Sequence, residues 1–219
     1  MVLLEDERSL VCSYAQRMVD DGLVVGTSGN ISMRKDNLVA VTPSGVPYIS
    51  LTPADIPVID MGGAVVDGSL NPTSELPIHL SVYWDVVDPD NQPVTSIVHT
   101  HAPHATAVST LANEVPAIHY LLATVGPVVR VARYATYGTP ELASSVLEAL
   151  QGSRGCLMAN HGTLTYGSGI EAAYDRARQL EWVCRVFLLA RSVGSPDPNL
   201  LPPEEIKNVF DKLRGYGQL

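Results

Sequence analysis

Lysine is scarce in this chain of 219 residues: only Lys35, Lys207 and Lys212 occur. Lys35 sits in the polar turn KDN, and the other two lie in the final segment EEIKNVFDKL. None is in an apolar strand where desolvation could lower its pKa, which excludes Schiff-base chemistry through lysine. Basic runs are missing as well. With 14 Lys+Arg against 23 Asp+Glu, the net charge is -9, which argues against a nucleic-acid partner. Cysteine is limited to Cys12, Cys156 and Cys184, far apart and in apolar surroundings. This excludes a disulfide framework and a cysteine-built structural metal site, and predicts buried thiols in a reducing compartment. Long hydrophobic runs are absent: the best stretch, WVCRVFLLA, is cut by Arg185 and too short for a bilayer. MVLLEDERSL turns acidic too early for a secretory signal. A cytoplasmic protein with no membrane partner is expected.

What is present is a hydrophobic content of 46%, enough for one domain spanning residues 1–219. Leu4 to Asp21 has apolar residues at three- and four-residue spacing and then Gly22, predicting an amphipathic helix with a glycine stop. Strands are predicted at ISMR, LVAVTP, SIVHTH and VVRVARY, and a tight strand pair at CLMANHG and TLTYG. Helices are predicted from the Thr73–Ser74 cap to about Val86, from near Pro103, over PELASSVLEAL, from Gly169 to about Ser192, and at the C-terminal end. Interleaved strands and helices with short hairpin links imply a layered α/β domain around a largely antiparallel sheet.

The chain has six histidines, and three of them fall in SIVHTHAPHATAV. On a strand, His99 and His101 point the same way and suit one metal ion. The pair alone fits surface or hydrogen-bonded histidines equally well. His104 breaks the alternation beyond Pro103 and is expected to be an outer or packing residue. His161, at the end of the apolar strand CLMANHG beside Gly162, is the best candidate for a third ligand. His79 and His119 are expected to be satisfied core histidines. Three neutral imidazoles with an open position are the pattern of a catalytic divalent metal, most often zinc.

PTSE places Glu75 at a helix N-terminus, where it is either a cap that contributes stability or part of a site for an anion. The loops GTSGN and TPSG are small and rich in Gly and Ser, of the kind that cradle a phosphate. Together with a trihistidine metal they suggest a small phosphorylated substrate. The metal, as Lewis acid, is the expected means of carbonyl activation.

Taken in order, GTSGNIS, TPSGVPY, PTSE, SIVHTHAPHATAVS, VPAIHY, YATYGT, NHG and RGYG resemble the class II aldolase/adducin family and span Gly26 to Gly217. The resemblance implies an α/β/α sandwich around a mainly antiparallel sheet, assembled as a C4 homotetramer with sites between subunits. It implies one zinc ion per subunit held by His99, His101 and His161. Glu75 would be the general acid/base and would also touch the metal when substrate is absent. The phosphate pocket maps to Gly29, Asn30, Ser44, Gly45, Thr73 and Ser74. Tyr120 would act at the aldehyde end from the next subunit, with Tyr137 and Tyr216 in the aldehyde pocket. Tyr137 departs from the phenylalanine of the family pattern, and Thr73-Ser74 stands where relatives carry Ser-Ser.

The implied reaction is reversible cleavage of a ketose 1-phosphate to dihydroxyacetone phosphate and a short aldehyde. L-fuculose 1-phosphate with L-lactaldehyde is placed first, and a 5-deoxypentulose 1-phosphate with acetaldehyde is the alternative. A pentulose-phosphate 4-epimerase and a methylthioribulose-phosphate dehydratase rank below these, and a non-catalytic adducin-like module lower still.

Overall fold

The computed structural model describes residues 3–213. Eight strands form one sheet: β1 (Asn30–Lys35), β2 (Leu38–Val41), β3 (Val58–Asp60), β4 (Val65–Asp67), β5 (Ser96–Thr100), β6 (Val131–Ala132), β7 (Gly155–Met158) and β8 (Gly162–Gly167). Their order is β4-β3-β2-β1-β5-β8-β7-β6. Every pairing is antiparallel except that of β6 with β7. Six α-helices accompany them: α1 (Glu5–Asp20), α2 (Leu76–Asp85), α3 (Pro103–Ser109), α4 (Pro140–Ala149), α5 (Ile170–Ser192) and α6 (Pro203–Leu213). No helix among the described residues is long and apolar enough to cross a membrane.

The period-two alternation of the central strands divides the core. Val98 and Leu157 join α1, α3 and α5 on one face, with Ala15, Ala105 and Ala177 among the packed residues. Ile97, Cys156 and Met158 point to the other face, against Ile78 and Val82 of α2 and Leu142 and Val146 of α4. The expected three-layer sandwich is therefore the architecture found. α1 forms where Glu5, Asp6 and Glu7 favour its N-terminal dipole and Val11, Ala15 and Met18 share an apolar face. The three cysteines are free and buried, as expected.

Two expected elements differ in extent. VVRVARY pairs as a strand only at Val131–Ala132. The backbone groups around Val129 and Val131 are taken by the loop at residues 113–115, through Val115 N–H to Val129 O and Val131 N–H to Asn113 O. The second difference is the start of α2. Its N-cap is Glu75 itself, and Thr73 Oγ1 accepts the Glu75 N–H at 3.2 Å instead of capping the helix.

Candidate metal centre and substrate cavity

Three chain segments that are distant in sequence meet at one end of the sheet. β5 delivers His99 and, one residue beyond its end, His101. The β7–β8 hairpin delivers His161 from its tip, held by His161 N–H to Met158 O at 3.1 Å. The N-terminus of α2 delivers Glu75. One ligand atom from each of the four residues lies within 4.8 Å of the others.

The hairpin can come this close only because residue 162 lacks a side chain. A Cβ on Gly162 would lie 2.1 Å from Thr100 O, a backbone atom that cannot yield. Gly162→Ala is therefore expected to lower the melting temperature by the equivalent of at least ~1–3 kcal/mol and to leave bound metal below stoichiometry. A variant with wild-type melting temperature and metal content would refute this account of the hairpin. Gly29 has a similar constraint beside the ligand strand. Its φ is 73°, and a Cβ there would meet His99 O at 2.8 Å.

Three donor separations in the cage are those of a tetrahedral divalent site. Bonds of about 2.0–2.1 Å put the donors of such a site ~3.3 Å apart. Here His101 Nε2 is 3.1 Å from His99 Nε2. Glu75 Oε2 is 3.0 Å from His99 Nε2, and Glu75 Oε1 is 3.3 Å from His161 Nε2. Glu75 Oε1 is a buried oxygen without a hydrogen-bond partner among the described residues. His99 Nδ1 sits 2.7 Å from the backbone carbonyl of Thr163, so Nδ1 carries the proton and Nε2 presents its lone pair inward. No sulfur takes part, and three imidazoles with one carboxylate suit zinc or a similar ion.

The charges in the cage are coupled. Burial raises the Glu75 carboxyl, but His99 and His161 outweigh it and hold the group well below the usual carboxylate range. His99 is buried, which disfavours its charged form, yet the Glu75 carboxylate raises it above an ordinary imidazole. Burial, with His99 and His161 nearby, lowers His101 to about 3. A buried carboxylate surrounded by imidazole nitrogens is a charge arrangement that a cation completes.

Beside the cage lies a cavity of about 530 Å³. Glu75, His101 and His161 line it, with the expected phosphate residues Gly29, Asn30, Ser44, Gly45, Thr73 and Ser74. Among the described residues no Lys or Arg lines it, so an anion there would meet hydroxyl and amide donors. Tyr48 donates to Gly29 O and holds that loop from behind. The Asn30 side chain is committed elsewhere, with Nδ2 donating to Glu75 Oε2 at 2.9 Å.

Tyr137 also lines the cavity. Tyr134, Asn160, Thr27 and Ser28 line it too without having been singled out from sequence. Asn160 had a signal, since it precedes His161 in NHG. Tyr120 is half-exposed outside this cavity, with its ring 4.5 Å from that of His119. Tyr216 lies outside the described residues.

The other histidines are not ligands of this cage. His104 lies in the first turn of α3, where Glu181 of α5 accepts Ala105 N–H at 2.8 Å and meets His104 Nδ1 at 2.5 Å. His119 is half-buried and not a core residue; it accepts Leu121 N–H as a cap. His79 is fully buried and hydrogen-bonded. Lys35 pairs with Glu7 at 2.8 Å, away from the cavity.

Comparison with known proteins agrees with this geometry. The model of the class II aldolase and adducin N-terminal domain matches residues 9–188. The chain is 38% identical over 219 residues to a 5-deoxy-D-ribulose 1-phosphate aldolase of Bacillus thuringiensis serovar kurstaki, covering 99% of this chain and 100% of the relative. It is 37% identical over 197 residues to an L-fuculose phosphate aldolase of Escherichia coli, covering 90% and 88% of the two chains. A solved structure of an L-fuculose 1-phosphate aldolase superposes with a TM-score of 0.88 at 36% identity, over 95% of this chain and 96% of that one. With the family domain matched across most of its length and the fold shared, this chain belongs to the class II aldolase and adducin family.

Proposed function

We propose that this protein is a zinc-dependent aldolase that reversibly cleaves a 5-deoxypentulose 1-phosphate to dihydroxyacetone phosphate and acetaldehyde. The observation that carries the reading is a buried Glu75 carboxyl set among three imidazoles at a cavity lined with hydroxyl groups and glycine loops. Sequence motifs alone put L-fuculose 1-phosphate first. The relative aligned end to end favours the deoxypentulose substrate, while the similar identity to the Escherichia coli protein keeps L-fuculose 1-phosphate as the second reading.

His99, His101 and His161 would hold the ion, with Glu75 as a fourth donor when no substrate is bound. A bound zinc supplies Lewis-acid polarisation of the ketose carbonyl and the neighbouring hydroxyl. The chain supplies the proton transfers. In the synthetic direction Glu75 removes a proton from C3 of dihydroxyacetone phosphate, and the electron pair left at C3 forms the bond to the aldehyde carbon. In the cleavage direction the C3–C4 bond breaks, and Glu75 returns the proton to C3. Tyr120, from a neighbouring subunit of the proposed C4 homotetramer, gives a proton to the aldehyde oxygen in synthesis and takes it back in cleavage. Its half-exposed position outside its own chain's cavity supports that placement. Ser44, Thr73 and Ser74, with the Gly29 and Gly45 backbone, would hold the phosphate, and Tyr137 would meet the aldehyde end.

The test offers 5-deoxyribulose 1-phosphate and fuculose 1-phosphate side by side, with and without chelator, and measures dihydroxyacetone phosphate. Higher kcat/KM on the deoxypentulose, abolished by chelator, is the expected outcome. A preference for fuculose 1-phosphate would move the second reading to first place. No dihydroxyacetone phosphate from either would end the aldolase reading.

A further inference from the structure

α2 carries a polar stripe along a face where apolar residues would pack equally well. Glu75 at its N-cap, His79 and Tyr83 recur every four residues, so they stack one turn above another. β1, which faces them, carries Asn30 and Ser32 two residues apart and therefore on one face. The two sets interleave. Asn30 Nδ2 lies 2.9 Å from Glu75 Oε2, and Asn30 Oδ1 lies 2.5 Å from His79 Nε2. His79 Nδ1 lies 2.7 Å from Ser32 Oγ, which lies 2.7 Å from Tyr83 Oη. Ser32 and His79 are completely buried, and none of the other three is more than 6% exposed.

The direction of every link follows from the carboxylate at its end. An ionised Glu75 only accepts, so Asn30 must present its NH₂ group there, and its Oδ1 must face His79. His79 Nε2 must then carry the proton. A neutral imidazole has one N–H, which leaves Nδ1 as an acceptor for the Ser32 hydroxyl. Ser32 Oγ in turn accepts from Tyr83. The amide orientation and the tautomer are thus fixed by the network. Burial, which lowers His79 to about 3, agrees with the neutral ring.

We propose that Tyr83, Ser32, His79 and Asn30 form a one-way hydrogen-bond chain that locks Glu75 Oε2 in place, making His79 a positioning residue for the proton-transfer group. The proposal rests on the reading of Glu75 given above. Register sets the geometry: Asn30 is paired directly with His99, so both side chains reach the same oxygen, at 2.9 and 3.0 Å. Oε2 accepts from Asn30, and Oε1, which has no hydrogen-bond partner among the described residues, is left to move the proton. Packing alone does not call for this chain. An apolar pair of similar shape satisfies a buried contact at no loss, whereas a hydrogen-bond chain is costly unless every member is satisfied.

The test uses the full-length protein with two substitutions and one spectrum. His79→Leu removes both links, while His79→Gln keeps one donor and one acceptor. His79→Leu is expected to retain stoichiometric metal and wild-type KM but to lose ~10–100-fold in kcat, the usual effect of removing an orienting partner. His79→Gln should recover most of that loss. Nitrogen NMR of ¹⁵N-histidine-labelled wild-type protein should find His79 as the neutral Nε2–H tautomer, a result that needs neither substrate nor a stable variant. An Nδ1–H tautomer overturns the chain whatever the turnover. Wild-type kcat in His79→Leu, or a glutamine variant no better than leucine, reduces His79 to packing and overturns the proposal. The expected tautomer in a protein that turns over no ketose phosphate would count against the functional reading and not against the chain.

Discussion

Glu75→Gln is expected to lower kcat for cleavage by ~10²–10⁴-fold, the usual effect of losing a proton-transfer group. Glutamine has the same shape and can still accept from Asn30 at the position 2.9 Å away, so the fold and the three imidazoles should survive. What it loses is the ability to take a proton and the charge that His99 and His161 stabilise. Metal content should therefore remain stoichiometric while turnover collapses. Exchange of the C3 proton of dihydroxyacetone phosphate with solvent deuterium should stop in parallel, since that exchange needs no aldehyde. A variant with near-full turnover would remove Glu75 from the mechanism. A variant that lost metal together with turnover would make the carboxylate an essential ligand instead.

His161→Ala should have an effect of comparable size by a different route. His161 stands at the tip of the β7–β8 hairpin, where its side chain is partly open to the cavity and no strand pairing depends on it. Truncation should leave the sheet intact. The cage would keep His99, His101 and Glu75, and its fourth direction would open to water. Zinc should fall below one ion per chain, and kcat/KM should drop by at least ~10²-fold, the upper end of what removing a ligand's supporting partner does. Added zinc should restore only part of that loss. Stoichiometric zinc in the purified variant would remove His161 from the ligand set. Chelation of the unmodified protein should likewise lower the melting temperature, because an ion bound only by the folded chain stabilises it by mass action.

Much of this was legible locally. Alternation along SIVHTH predicts that His99 and His101 share a face, and their rings lie 4.9 Å apart. Apolar spacing predicts α1 and α5 to within a residue or two. Other features competed with longer-range partners. VVRVARY reads as a full strand, but a loop takes the Val129 carbonyl and the Val131 N–H. Thr73 and Ser74 read as caps, whereas the chain turns one residue later and puts Glu75 in the cap position. His79 reads as a satisfied core histidine, which its burial bears out, although its partners lead to Glu75. A signal for that link was available in the i, i+4, i+8 recurrence of Glu75, His79 and Tyr83 beside the N-x-S of β1. It becomes meaningful only when helix and strand are known to face each other.

The sequence by itself determined the residue types at the centre and the strand that pairs two imidazoles. It also carried the family resemblance, because motifs in a fixed order survive without any coordinates. Only the tertiary structure decided that Glu75, His161 and the His99–His101 pair converge within 4.8 Å, and that Asn30 serves the carboxylate. The physical reason is range. Side-chain direction within an element follows from backbone periodicity over a few residues. Convergence of ligands some sixty residues apart depends on sheet register, on a glycine thin enough to let two backbones touch, and on which face of α2 packs against β1.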